Sequence, residues 1–308
     1  KDHFWIFLAS VVENPTFSSQ TKDELMTPIE KFGSTCTLSE NIVKKIFQKF
    51  NFDTIIQQQI QYMQTVEISK LDVKKKKTIK GIPKLYDANF AGTKKSSECT
   101  LILTEGDSAK TMAISGLSAI PKANNTYGIF PLKGKLLNVR EATHKQIMNN
   151  EEFKNLKQII GLETNKVYTK ENIGELRYGS ILLMMDADVD GSHIKGLFIN
   201  MIHYYWPSLL KITGFIKIFI TPVVKVTNRR KPSDSTAFYT LEDYNRWKDK
   251  IKTDISNYQI KYYKGLGTNT NAEAKEYFSN LDRHLINFTW DQPSDESIVL
   301  AFAKDKAD

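Results

Sequence analysis

From Cys99 onward the sequence predicts an α/β fold, a parallel sheet flanked by crossover helices. Two observations predict it. Short apolar runs of four to six residues alternate with longer amphipathic stretches, the pattern of strands buried on both faces and joined by helices. Two of those runs also end directly in acidic residues, Glu105 and Asp186, and strand ends are where open α/β sheets gather their ligands.

The predicted strands are Thr100–Thr104, Gly128–Leu132, Ser180–Met185, Phe215–Val226 and Gln259–Tyr263. Helices are expected near Ser108–Leu117, Thr143–Ile160, Ser192–Trp206, Leu241–Lys250 and Asn271–Leu281. Arg229–Ser235 reads as a polar surface loop. Ahead of this region, Phe4–Val12 reads as a buried strand and Glu13–Glu24 as a polar loop. Thr37 with Glu40 matches a T-x-x-E capping box. Ile42, Val43, Ile46, Phe47, Phe50, Ile56, Ile60 and Met63 then recur at helical spacing, so Thr37–Thr65 reads as one long or bent helix, with a possible break at Asn51–Asp53. Lys70–Lys95 contains four consecutive lysines, Lys74–Lys77, then Gly81, Pro83 and Gly92 without clear period. It reads as a linker or surface-laid connection.

The 308 residues allow two domains, and the composition, 41% hydrophobic and 25% charged, excludes wholesale disorder. No apolar run approaches the ~18–20 residues of a membrane span, and Lys1–Val12 lacks a cleavage pattern, so no membrane role is expected. The net charge of +8 suits a polyanionic partner, nucleic acid first. Only Cys36 and Cys99 are present, outside any C-x-x-C, which points to a reducing intracellular compartment without zinc or a disulfide framework. The start at Lys1, inside a strand-like run, suggests a piece of a longer protein.

The chemistry concentrates in Asp186-Ala-Asp188-Val-Asp190-Gly191-Ser192-His193. In an extended chain, residues two apart share a face. Three converging carboxylates repel one another unless a cation lies among them, and hard oxygen donors favour Mg²⁺ or Mn²⁺. An EF-hand begins the same way, but its twelfth position, here Leu197, lacks the required Glu, and Ile181–Met185 is strand-like rather than helical. An acidic turn without metal is the other reading. Glu105, ending Leu101–Thr104, supplies a further acid, whereas Asp107 and Ser108 read as helix N-caps. Together the two strand ends predict one composite site.

Glu105-Gly-Asp-Ser-Ala with Asp186-x-Asp188-x-Asp190 resembles the Toprim domain. Pro131-Leu-Lys-Gly-Lys-Leu-Leu-Asn138, Ile220-Thr-Pro-Val-Val-Lys225, Tyr263-Lys-Gly-Leu-Gly-Thr268 and Glu13-Asn-Pro-Thr-Phe-Ser-Ser-Gln-Thr-Lys22 extend the resemblance to type IIA DNA topoisomerases over nearly the whole chain. Ala187 and Val189 look bacterial between the aspartates, where eukaryotic members usually carry Gln; the other motifs look eukaryotic. The resemblance implies a Rossmann-like Toprim sheet over residues 99–290. It places the end of the ATPase-transducer region at 1–66, a basic linker at 67–98, and the start of a connection to a winged-helix domain at 291–308.

It further implies that Glu105, Asp186, Asp188 and Asp190 bind Mg²⁺ at a DNA cleavage site, with Mn²⁺ or Ca²⁺ able to substitute in binding. Glu105 would serve as general acid/base for the departing 3′-oxygen, provided the metal does not already hold it. Lys133, Lys135 and Lys264 would contact the DNA backbone, and Gln20 and Lys22 would reach the γ-phosphate of ATP bound in an upstream domain. His193 and Lys195 read equally well as helix-end residues. The partners implied are double-stranded DNA and, in the full-length enzyme, a second copy; the location implied is the nucleus of a eukaryotic cell, or host cytoplasm or virion for a virus. The attacking tyrosine is expected in the winged-helix domain, and Tyr262 and Tyr263 belong to a different motif. A self-contained Toprim nuclease and a non-catalytic basic DNA-binding scaffold are the alternatives.

Overall fold

The computed structural model describes residues 9, 11–33, 35, 37–50, 52–72, 78–79, 81–231, 233–251 and 255–306. The chain divides into two units, residues 1–62 and 63–308. Most of the predicted first strand, Phe4–Val12, lies outside the described residues, as does the lysine run from 74 to 77.

In the first unit, Glu13–Glu24 is a loop closed by an antiparallel bridge between Phe17 and Leu25 and by the Ser18 amide donating to Glu24 O at 3.0 Å. Helix α1 covers Glu40–Phe50 and α2 covers Phe52–Ser69, which continues past the end of the first unit; Asn51, where the sequence allows a break, lies outside the described residues. Thr37 does not cap α1. The helix starts later, and Ser39 Oγ accepts the Ile42 amide at 3.4 Å. Serine is among the preferred residues for this role, and its position rather than the T-x-x-E spacing sets the start.

In the second unit the order is β1 Thr100–Glu105, α3 Gly106–Leu117, α4 Ala123–Thr126, β2 Tyr127–Leu132, α5 His144–Asn149, α6 Glu151–Ile160, β3 Ser180–Met184, α7 Val189–Tyr205, α8 Pro207–Leu210 and β4 Ile216–Phe219. There follow β5 Val224–Asn228, β6 Ser235–Phe238, α9 Leu241–Ile251, β7 Tyr258–Tyr262, α10 Asn271–Ser279, β8 Leu285–Asn287 and α11 Gln292–Phe302. One sheet runs β2-β1-β3-β4-β8, parallel except for the β8 edge. A second, antiparallel sheet runs β6-β5-β7.

Both faces of the parallel sheet are covered, which explains its unbroken apolar strands. Leu101, Leu103, Ile181 and Leu183 face a core shared with Phe153 and Leu156 of α6 and Ile194 and Phe198 of α7. Ile102, Leu182 and Met184 face Ala109, Met112 and Ala113 of α3 and Tyr277 and Phe278 of α10. At the α3–α10 contact a methyl group on Gly116 would lie 2.2 Å from the Phe278 ring. Alanine there would overpack the interface, a fault costing about 1–3 kcal/mol.

Three expectations change. Phe215–Val226 is two strands in two sheets, because Pro222 lacks the N–H a continuing ladder requires. Gln259–Tyr263 accordingly becomes β7 of the antiparallel sheet. The predicted helix Thr143–Ile160 breaks at Asn150, whose side chain accepts the Phe153 amide at 2.8 Å and starts α6.

The stretch before β1 is also more than a surface connection. Ala88 and Ala91 are buried, and Tyr86 exchanges backbone hydrogen bonds of 2.9 and 2.8 Å with Ile129. Asp87 pairs with the guanidinium of Arg177, itself 1% exposed, and accepts the Tyr178 hydroxyl. Removing one partner of such a buried pair costs about 3–5 kcal/mol, so Asp87 binds this stretch firmly to the core.

Candidate functional site

Parallel pairing aligns the strand ends. Thr104 lies opposite Met184 and Pro131, and Glu105 opposite Leu132. Glu105, the Asp186–Asp190 segment and the Lys133–Lys135 loop therefore leave the sheet along one edge, the C-terminal ends of β1, β3 and β2. The two strand-end acids come together as predicted. The Glu105 side chain accepts the Asp186 amide at 3.3 Å through Oε2.

Glu105 stands at the turn into α3, where Gly106 adopts φ 73°, a backbone shape glycine takes without strain. Burial raises the Glu105 pKa above the ordinary carboxyl value; the Asp186 amide opposes that, and the charges of Asp186, Asp188 and Asp190 add to it. The charges of all three aspartates thus add to the effect of burial in disfavouring the ionised Glu105.

The aspartates do not converge along an extended chain. β3 ends at Met184, Asp188 caps α7 by accepting the Gly191 amide at 2.8 Å, and Asp190 lies in the helix's first turn. Asp190 is ion-paired with Lys135 at 2.8 Å, and that bond holds its pKa below the usual carboxylate range. Asp186 Oδ1 accepts the Leu266 amide at 2.7 Å. Among the described residues no three acidic, histidine or cysteine side chains enclose an ion as they stand. What the site offers is four carboxylates at one sheet edge, each with one oxygen on a protein donor.

Asp107 and Ser108 are not the caps the sequence reading made them. α3 begins at Gly106, Asp107 sits in its first turn, and its carboxylate pairs with Lys84 at 2.5 Å. Lys133 and Lys135 flank Gly134, at φ 99°, in the loop after β2. Both are exposed, as is Lys264. His193 stacks on Phe302 with ring centroids 6.2 Å apart. Lys195, like His193, is a residue whose role the sequence leaves undecided. It is partly buried, and its pKa is lowered by that burial against the opposing pull of Glu105, Asp188 and Asp186. Its position at helical spacing from Asp188 was the available signal. In the first unit Lys22 takes φ 59° and lies 5.7 Å above the Phe17 ring, while Gln20 is exposed.

Comparison with known proteins matches residues 100–221 to the Toprim domain and residues 219–308 to the C-terminal associated domain of TOPRIM. DNA topoisomerase 2 of Pisum sativum is 48% identical over 309 residues, covering 100% of this chain and 21% of that protein. The chain carries a Toprim domain with its C-terminal associated domain and is similar over its whole length to eukaryotic DNA topoisomerase 2. DNA topoisomerase 2-alpha of Homo sapiens is 48% identical over 311 residues, covering 100% of the chain and 20% of its own length. Among solved structures, the DNA-binding, cleavage and re-ligation domain of Plasmodium falciparum topoisomerase II superposes with a TM-score of 0.69 at 53% identity, covering 75% of this chain and 31% of that one. The chain thus spans about a fifth of the length of the curated type II topoisomerases it matches. The boundary between its two matched domains falls where β4 leaves the parallel sheet and the chain turns toward β5.

Proposed function

We propose that this chain is the Mg²⁺-binding part of an ATP-dependent type II DNA topoisomerase, which cleaves, passes and religates double-stranded DNA as a homodimer. The observation that carries the reading is the alignment of β1 and β3. These neighbouring parallel strands end on Glu105 and, two residues past β3, on Asp186, and Glu105 carries the repulsion of three aspartates.

The four side chains fit a hard divalent cation in donor chemistry and in charge. All are carboxylates, and a cation among them would relieve the repulsion that the geometry builds up. Capping does not disqualify Asp188, since a carboxylate has a second oxygen to offer. Glu105, Asp186, Asp188 and Asp190 would hold the ion, Mg²⁺ or Mn²⁺ or Ca²⁺ in its place. When bound, Mg²⁺ supplies Lewis-acid stabilisation of charge on the scissile phosphate and its 3′-oxygen.

The remaining work falls to the protein. Glu105 is the general acid/base for the departing 3′-oxygen in the step where the ion does not hold its carboxylate. Lys133, Lys135 and Lys264 neutralise backbone phosphates. The attacking tyrosine comes from a winged-helix domain of the whole protein. Residues 1–66 belong to the end of the transducer region, where Gln20 and Lys22 reach the γ-phosphate of ATP and couple its hydrolysis to strand passage.

The test is to incubate the purified chain with supercoiled plasmid and Mg²⁺. The expected result is DNA binding without strand cleavage. Efficient nicking by the chain alone would replace this reading with a self-contained nuclease.

A further inference from the structure

Asp186 is confined in a way that the other three acids are not. Its amide is held by Glu105 Oε2, and its Oδ1 by the Leu266 amide at 2.7 Å. A methyl group on Gly191 would lie 2.3 Å from the Asp186 carbonyl oxygen, and one on Gly265 would lie 2.4 Å from Oδ2 and 2.8 Å from Cγ. Gly265 has φ −178° and ψ 177°, extended backbone open to any residue. Its lack of a side chain is therefore required by the carboxylate beside it and not by its own conformation.

The segment that carries Gly265 and Leu266 is firmly anchored. The Tyr263 amide donates to Val223 O at 3.0 Å, and its hydroxyl donates to Glu273. Glu273 also pairs with Lys261 at 2.8 Å and closes the capping box of α10, bonds that hold its pKa down to about 2 although burial opposes them. Leu266 is buried against α3 and α10. A single N–H on a mobile loop would orient nothing, but this one is fixed from three sides.

We infer that the Tyr263–Thr268 loop is the positioning element for Asp186: the Leu266 amide fixes Oδ1, and the bare Gly265 backbone leaves Oδ2 in place to face the cation. This rests on the metal-site reading above and adds a role for a loop from the second matched domain. The loop supplies no ligand of its own, so its effect passes through Asp186. Outer-shell partners of metal ligands change affinity by about 10–100-fold when lost.

The experiment uses the full chain and Mn²⁺ as the probe, read by electron paramagnetic resonance, with unfolding followed in parallel. Gly265→Ala is expected to weaken Mn²⁺ binding by about 10–100-fold. It is also expected to lower the unfolding midpoint in the otherwise native chain but not in the Asp186→Ala background, where the obstructed carboxylate is gone. Native Mn²⁺ affinity in a folded Gly265→Ala chain would overturn the inference, as would an equal loss of midpoint in both backgrounds. Should Gly265→Ala fail to fold, hydrogen exchange at the Leu266 amide in Asp186→Ala decides. Faster exchange than in the native chain supports the contact, and unchanged protection refutes it. If the native chain binds no Mn²⁺ the metal-site reading fails, and the exchange measurement still judges the contact separately.

Discussion

Asp188 holds two roles that a pair of substitutions separates. As N-cap of α7 its side chain accepts the Gly191 amide at 2.8 Å, satisfying one of the four donors a helix start leaves over. As a proposed ligand it contributes charge. Asparagine caps about as well as aspartate but carries no charge, whereas alanine does neither, and loss of a cap costs about 0.5–2 kcal/mol. The carboxylate's attraction to the helix start adds about 0.3–1 kcal/mol, offset by the repulsion it exerts on Glu105.

In EDTA, then, Asp188→Asn is expected within about 0.5 kcal/mol of the native chain, and Asp188→Ala about 1–2 kcal/mol below it. For a unit of this size that is a fall in midpoint of roughly 2–8 °C. Thermal unfolding followed by circular dichroism reads both. Adding Mg²⁺ should then raise the midpoint of the native chain and of neither variant, because a ligand stabilises only the fold that binds it. Equal losses in Asn and Ala would refute the capping argument. A Mg²⁺ response of native size in Asp188→Asn would refute the ligand argument.

Glu152 offers a test by pH on a group outside the four acids. Burial raises its pKa while the Lys133 amide opposes the rise, and its Oε2 is buried with no hydrogen-bond partner among the described residues. A folded pKa above the unfolded one means stability present at low pH is lost as pH rises through the folded value. Glu152→Gln should therefore be more stable than the native chain at pH 7, with the advantage gone below about pH 4, near the unfolded glutamate pKa. An unchanged difference across that range, by urea denaturation, would contradict it. Lys133→Ala, Lys135→Ala and Lys264→Ala should each weaken duplex binding alike on unrelated sequences and reduce the slope of log K against log salt by about 0.9. A loss confined to one sequence would mean base contact instead.

Much of the parallel sheet was legible because burial on both faces leaves β1 and β3 as uninterrupted apolar runs, a signal that survives without any knowledge of their neighbours. The meeting of Glu105 with Asp186 followed from the same signal, since strands that lie parallel end together. The antiparallel sheet was not separated from it. Gln259–Tyr263 has an ordinary strand pattern, and only its partner β5 shows to which sheet it belongs. Nor could periodicity show that Asp188 and Asp190 enter a helix, because capping competes with extension at a strand end. The contact of Leu266 and Gly265 with Asp186 was beyond reach, for it joins residues 80 apart in the chain through a backbone amide. The sequence showed each motif, and the structure shows which ones touch.

On the proposed function, the four acids serve DNA cleavage through a bound divalent ion. The most direct measurement is relaxation of supercoiled plasmid by the whole protein carrying Glu105→Gln or Asp188→Asn, at the Mg²⁺ concentration that supports the native enzyme. Each substitution is expected to reduce relaxation by about 100-fold or more, the scale on which removing a transition-state charge stabiliser acts. Native rates in either variant, from protein shown to be folded, would contradict the claim.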